Sequence, residues 1–127
     1  MFAKSMVDFL ESQGFGERDT NIFINNFPSR TNISNAICVY DTQSFSVKGR
    51  ARNSVNFTCQ IRVRNLKSEK AEEIANNIYK ELEKGFIYDK NNKRFTIRPL
   101  NPPNFLMFDS DNRANWILNV TGLALNY

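Results

Sequence analysis

Histidine is missing from this 127-residue chain altogether. Its absence removes serine–histidine and cysteine–histidine nucleophile pairs, histidine general bases and most zinc sites. Cysteine is scarce, with Cys38 and Cys59 the only two, and they fit neither a disulfide-rich framework nor a metal spacing. Both stand on apolar positions of strand-like runs, so buried reduced thiols and folding in a reducing cytoplasm are expected. No run approaches the roughly eighteen apolar residues of a membrane span. The opening stretch, MFAKSMVDFLESQGFG, carries Lys4, Asp8 and Glu11 and does not read as a signal peptide. One further absence is local. The chain holds 13 acidic residues, yet none lies between Thr42 and Ser68.

That acid-free window holds Lys48, Arg50, Arg52, Arg62, Arg64 and Lys67. The net charge is only +4, because the rest of the chain has eleven basic residues against its thirteen acidic ones. The asymmetry is a patch, and a patch points to a partner. An apolar share of 41% with 13% aromatics is enough for a folded core and excludes wholesale disorder. Length gives a single domain over 1–127.

Apolar spacing predicts a short helix over Phe2–Gln13 with Gly14 as its stop. NIFINNF reads as a strand ended by Pro28, and NAICVYD as a second strand. A loop or irregular hairpin follows around Gly49. VNFTCQIRVR is the clearest strand: Val55, Phe57, Cys59, Ile61 and Val63 point one way, and Thr58, Gln60, Arg62 and Arg64 the other. SEKAEEIANNIYKELEKG is the best helix, with Ser68 as its expected N-cap and Glu69, Glu72 and Glu73 in its first turns. Ala71, Ile74, Ala75, Ile78, Tyr79 and Leu82 form its buried stripe. The polar turn YDKNNKR leads to the strand FTIRP, and NFLMFDSDNRANWILNVTGLAL reads as a hairpin turning at Ser110–Arg113. Trp116, Leu118 and Val120 share one face of its second arm. The fold class is α+β, a mixed and mainly antiparallel sheet packed against an amphipathic helix, with a short N-terminal helix.

Several motifs fail on inspection. Asp109 and Asp111 in DSDNRA suggest a calcium loop, but Arg113 occupies its fifth position and the glycine is lacking. GFGERD follows a helix rather than a strand and has no third glycine, so it reads as a helix stop. Glu72 and Glu73 are adjacent on a helix and diverge. The sequons at Asn32, Asn56 and Asn119 are what an asparagine-rich chain produces by chance. No catalytic residue, metal site or cofactor is expected, and the chain does not read as an enzyme.

Two readings of the basic stretch remain. A small non-specific nucleic-acid-binding module could use residues 48–64 to follow phosphates, with Phe45 and Phe57 near for stacking; no RRM signature or basic helix accompanies it. Alternatively, the basic strand and loop meet the acidic helix of a neighbouring copy in a head-to-tail ring. The candidate interface or lumen-facing residues are then Lys48, Arg50, Arg52, Arg62, Arg64, Glu69, Glu72 and Glu73.

CQIRVRNLKSEKAEEIANNIYKEL resembles the phage minor capsid protein and tail terminator family of long-tailed bacteriophages. The helix ending at GFG, the strand pair NIFINNF and AICVYD, and the late hairpin DNRANWILNVTGLAL agree in order. Where that family leads one to expect a glycine pair after the second strand, this chain has Asp41-Thr42-Gln43. The resemblance implies a virion assembly subunit, made in the bacterial host cytoplasm, that forms a ring, usually a hexamer. Such a ring caps the tail tube protein, stops its polymerisation and meets the head connector protein. It implies no membrane partner, and a lumen-facing loop would make transient non-specific DNA contact. Arg62 and Arg64 are expected on an exposed sheet face.

Overall fold

The computed structural model describes residues 2–27, 35–47 and 54–124. The expected strand stop at Pro28, the sequon at Asn32, the loop around Gly49, and Lys48, Arg50 and Arg52 lie outside the described residues, as do the side chains of Phe45 and Val55. Helix α1 spans Phe2–Ser12 and buries Phe2, Ala3, Met6, Phe9 and Leu10. It ends as its glycine demands. Gly14 sits at φ 81°, its N–H donates to Glu11 O at 3.1 Å, and the Phe15 N–H reaches back to Leu10 O at 3.1 Å, a Schellman stop. At the other end the Ala3 N–H, one of the amides a helix leaves unpaired, donates to Asp41 Oδ1 at 2.8 Å. Asp41 stands where a glycine pair was expected, and it ties α1 to the sheet.

The strands are β1 Ile22–Ile24, β2 Ala36–Val47, β3 Ser54–Asn65, β4 Phe86–Tyr88, β5 Arg94–Pro99, β6 Asn104–Phe108 and β7 Ala114–Ala124, with helix α2 over Ser68–Leu82 between β3 and β4. They form one sheet in the order β1-β2-β3-β7-β5-β4, and β6 also pairs with β7. Only β1 and β2 run parallel; every other described pair is antiparallel. The α+β class and the helix–strand order stand, with two extensions. The second strand does not stop at Asp41 but bulges between Asp41 and Gln43 and runs on to Val47. A short strand, β4, appears just after Gly85, where the sequence suggested no strand and the polar turn was expected to begin at Tyr88.

Two hairpin turns explain part of the asparagine content. In each, an aspartate starts the turn and an asparagine holds the left-handed position, Asn92 and Asn112 both at φ 59°. Asp89 Oδ1 accepts the N–H groups of Asn91 and Lys93, and Asp109 Oδ1 those of Asp111 and Arg113. Asparagine tolerates this backbone better than other side-chain-bearing residues, which is why it can replace glycine there.

Both helices pack on the same face of the sheet. Phe57, Cys59, Ile61 and Val63 of β3 face them as alternation predicts, together with Ala71, Ala75, Ile78 and Leu82 from α2 and Leu118 and Val120 from β7. Cys38 and Cys59 are buried free thiols, and burial pushes both thiol pKa values up, so they stay protonated at neutral pH. Ser68 is the first residue of α2 rather than its cap: Lys67 occupies the cap position, and Ser68 Oγ accepts the indole N–H of Trp116 at 3.1 Å. Among the described residues no helix is long and apolar enough to cross a membrane.

In the core, Phe2 packs directly against Gly122. A Cβ at position 122 would lie 2.6 Å from Phe2 Cζ and 2.8 Å from Phe2 Cε1. That ring cannot retreat, since its centroid is 5.5 Å from Phe57 and 5.4 Å from Phe95. Gly122→Ala is therefore expected to destabilise the fold by about 1–3 kcal/mol, the usual cost of overpacking a core. Phe2→Leu in the same chain should recover part of the loss. Urea denaturation of the two single variants and the double checks this, and additive losses would refute the contact.

Candidate assembly surface

The face of the sheet turned away from the helices carries Gln60, Arg62 and Arg64 from β3. It is not the open arginine surface that the alternation suggested. Just beyond β1, Phe27 lies over this face. The Arg64 guanidinium stacks on the Phe27 ring at 4.0 Å and that of Arg62 on Tyr40 at 5.2 Å, with the two rings edge to face at 6.4 Å. Arg64 is only 5% exposed, and Arg62 is half-buried.

Desolvation has consequences here. Burial, helped by the neighbouring Cys38, pushes Tyr40 up to about 12. Burial, with Arg113 nearby, lowers Arg64, which nevertheless remains a cation at physiological pH. The rest of the face is an amide network. Arg62 Nη2 donates to Gln60 Oε1 at 3.2 Å and Gln60 Nε2 to Asn119 Oδ1 at 3.4 Å. The backbone N–H and Nδ2 of Asn119 both donate to Asn101 Oδ1, each at 3.1 Å. Arginine stacking and amide pairing hold this surface in one conformation.

Glu69, Glu72 and Glu73 are exposed on α2, on the opposite side of the sheet from Arg62 and Arg64. Within one chain the two groups are not brought together. Lys70 pairs with Glu73 at 3.7 Å across the solvated helix surface, a contact of small energy.

One feature of the surface escaped the sequence reading. All five residues of β6 are exposed, and Phe105, Leu106, Met107 and Phe108 form an unbroken apolar run at 44, 40, 45 and 57% exposure. Phe105 stacks edge to face on Trp116 at 5.8 Å and lies 5.1 Å from Phe108, because a bulge between Phe105 and Met107 returns both rings to the helix side. The available signal was the lack of polar alternation in NFLMF, which marks a strand needing cover on both faces.

The DSDNRA turn that closes the β6–β7 hairpin has its charges satisfied internally. Arg113 Nε donates to Asp109 Oδ2 at 2.8 Å and Nη2 to Asp111 Oδ2 at 3.0 Å, so one guanidinium pairs with both carboxylates of the turn. Although burial raises it, the N–H bonds from Arg113 and Asp111 and the guanidinium hold the Asp109 carboxyl below the usual carboxylate range. A lowered folded pKa gives stability that is present above the unfolded value of about 4 and fades as pH falls toward the folded one. Asp109→Ala should cost about 1–3 kcal/mol at neutral pH. Asp109→Asn should cost less and should flatten the loss of stability between about pH 4 and the folded pKa. Chemical denaturation of wild type and both variants across acid pH provides the check.

No curated protein matches the chain. Against models of protein families, residues 9–122 match the one described as bacteriophage tail terminator protein. The matched span starts within α1 and ends within β7, taking in the end of α1, all of α2, the arginine-bearing strand and the apolar hairpin arm. The chain therefore belongs to the bacteriophage tail terminator family and is a structural protein of the phage tail.

Proposed function

We propose that this protein is a ring subunit that caps the finished tail tube, stops its polymerisation and presents a surface to the head connector. The observation that carries the reading is the family match across residues 9–122, which embraces nearly the whole fold. The geometry suits such a cap, with one face of the sheet closed by helices and stacked arginines on the other. Capping needs complementary surfaces and no bond-making chemistry, in keeping with a chain without histidine. Assembly takes place in the host cytoplasm, and the ring, a hexamer in this reading, becomes part of the virion.

The charge-pairing version of the ring now rests on Lys48, Arg50 and Arg52 facing the Glu69, Glu72 and Glu73 surface of a neighbour. Arg64 is buried in its own subunit, and reversing its charge would test folding rather than assembly. Contact with passing DNA falls to the same three basic residues.

Interrupting the gene in a phage or prophage should yield overlong tails detached from full heads, seen by negative-stain microscopy. Tails of normal length joined to heads would overturn the reading. Salt-sensitive binding of the purified chain to DNA would then favour the nucleic-acid alternative.

A further inference from the structure

We infer that the outward face of the β4–β5 hairpin binds the phosphate backbone of duplex DNA, with Arg94 and Arg98 as its phosphate contacts. This surface is additional to Lys48, Arg50 and Arg52. The inference rests on the ring reading only for the source of the duplex, the DNA passing through the capped tube.

Alternation builds the surface. Ile87 of β4 and Phe95 and Ile97 of β5 are buried in the core under the helices, so Phe86, Tyr88, Arg94, Thr96 and Arg98 stand on the other face. All five are exposed, whereas Arg62 and Arg64 on the same side of the sheet are covered by Tyr40 and Phe27. Phe86 pairs with Thr96 and Tyr88 with Arg94, which sets the aromatic residues alongside the arginines. The Arg94 guanidinium lies 4.9 Å from the centre of the Phe86 ring, and Phe86 and Tyr88 meet edge to face at 5.7 Å. A guanidinium stacked in this way is held in one plane and keeps its N–H edge for an oxyanion. With Phe86 engaged by Arg94, the aromatics serve to hold the arginine, and backbone contact is favoured over base stacking.

Charge identifies the ligand. The seven strands hold one acidic residue, Asp41, and its carboxylate is turned to α1, where it accepts the Ala3 N–H. Asp89, in the turn of the hairpin itself, is occupied by the N–H groups of Asn91 and Lys93. Neither Arg94 nor Arg98 forms an ion pair among the described residues. They stand four positions apart on one strand, roughly 13 Å along it, on a face without carboxylates. That arrangement suits a ligand carrying negative charge at regular intervals. Helix α2 of a second copy fits less well, because lysines neutralise its glutamates: Lys70 pairs with Glu73 and Lys84 with Glu81. Register adds positive charge at one end of the face. Val47 pairs with Ser54, Val55 with Ala124 and Leu123 with Thr96, so β2 and β3 end at the height of Arg94. Lys48, Arg50 and Arg52 stand in the chain between those two strand ends.

The test follows binding of the purified full chain to a short DNA duplex by fluorescence anisotropy across a salt series. Each phosphate contact contributes about 0.9 to the slope of log K against log salt. Arg94→Gln with Arg98→Gln should therefore lower the slope by about 1.8 and weaken binding at low salt by about tenfold or more. The melting temperature should not shift, since both side chains are exposed. Lys67→Gln with Lys70→Gln removes the same charge from the helix side and should leave the slope as in wild type. An equal fall in both variants would mean a response to net charge alone and would overturn the site. An unchanged slope in the arginine variant, or no binding at low salt, would do the same. Tighter binding to a single strand than to the duplex, lost in Tyr88→Ala, would overturn backbone contact in favour of base stacking. In phage, the arginine variant should still give tails of normal length joined to heads. Overlong or detached tails would show that a protein occupies this face and would overturn the DNA contact. If interrupting the gene itself leaves tails normal, the ring reading falls, while the salt slope still decides the surface.

Discussion

The seating of Phe2 on Gly122 is the contact on which the remaining architecture depends. Because position 122 lacks a side chain, the α1 ring can reach β7 and lie between Phe57 of β3 and Phe95 of β5. One aromatic cluster thereby fixes a helix against three strands distant in sequence. The Asp41 carboxylate on the Ala3 amide of α1 sets the helix along its axis, so position and tilt are determined together. With α1 held there and α2 beside it, the helix face of the sheet is closed to partners, and contact must be made through edges, the helix exterior or the far face.

On the far face the arginines are part of the architecture. Stacking Arg64 on Phe27 and Arg62 on Tyr40 removes much of their charge from water, which is unfavourable unless planar contacts and hydrogen bonds compensate. The aromatic rings supply the first for both, and Gln60, backed by Asn119 and Asn101, supplies a hydrogen bond to Arg62. A rigid polar face of this kind suits a subunit that must present the same surface each time it assembles.

The two hairpin turns built on Asp89 and Asp109 work in the same direction. Each fixes strand register by closing backbone N–H groups onto one carboxylate, and each uses an asparagine where the backbone turns left-handed. The second also determines where β6 ends, and so where its exposed apolar run lies relative to the row of strands. Local turn chemistry thus controls the placement of the most unusual part of the surface.

Much of this was legible in the sequence. The alternation from Phe57 to Arg64 gave the strand and its inward face, the stripe from Ala71 to Leu82 gave α2, and Gly14 gave the end of α1, because periodicity and backbone freedom are local properties. Asp41 was visible only as a departure from an expected glycine pair; its partner, the Ala3 amide, lies 38 residues away. Alternation likewise states which way Arg64 points but not what lies above it, since Phe27 comes from a segment 37 residues earlier in the chain. The sequence by itself determined both helices and most strands, their inward faces and the kinship with tail terminators. Tertiary structure decided that Arg64 is buried and that β6 is bare. Coverage and alignment of a strand depend on chain segments far from it in sequence, and no local pattern encodes them.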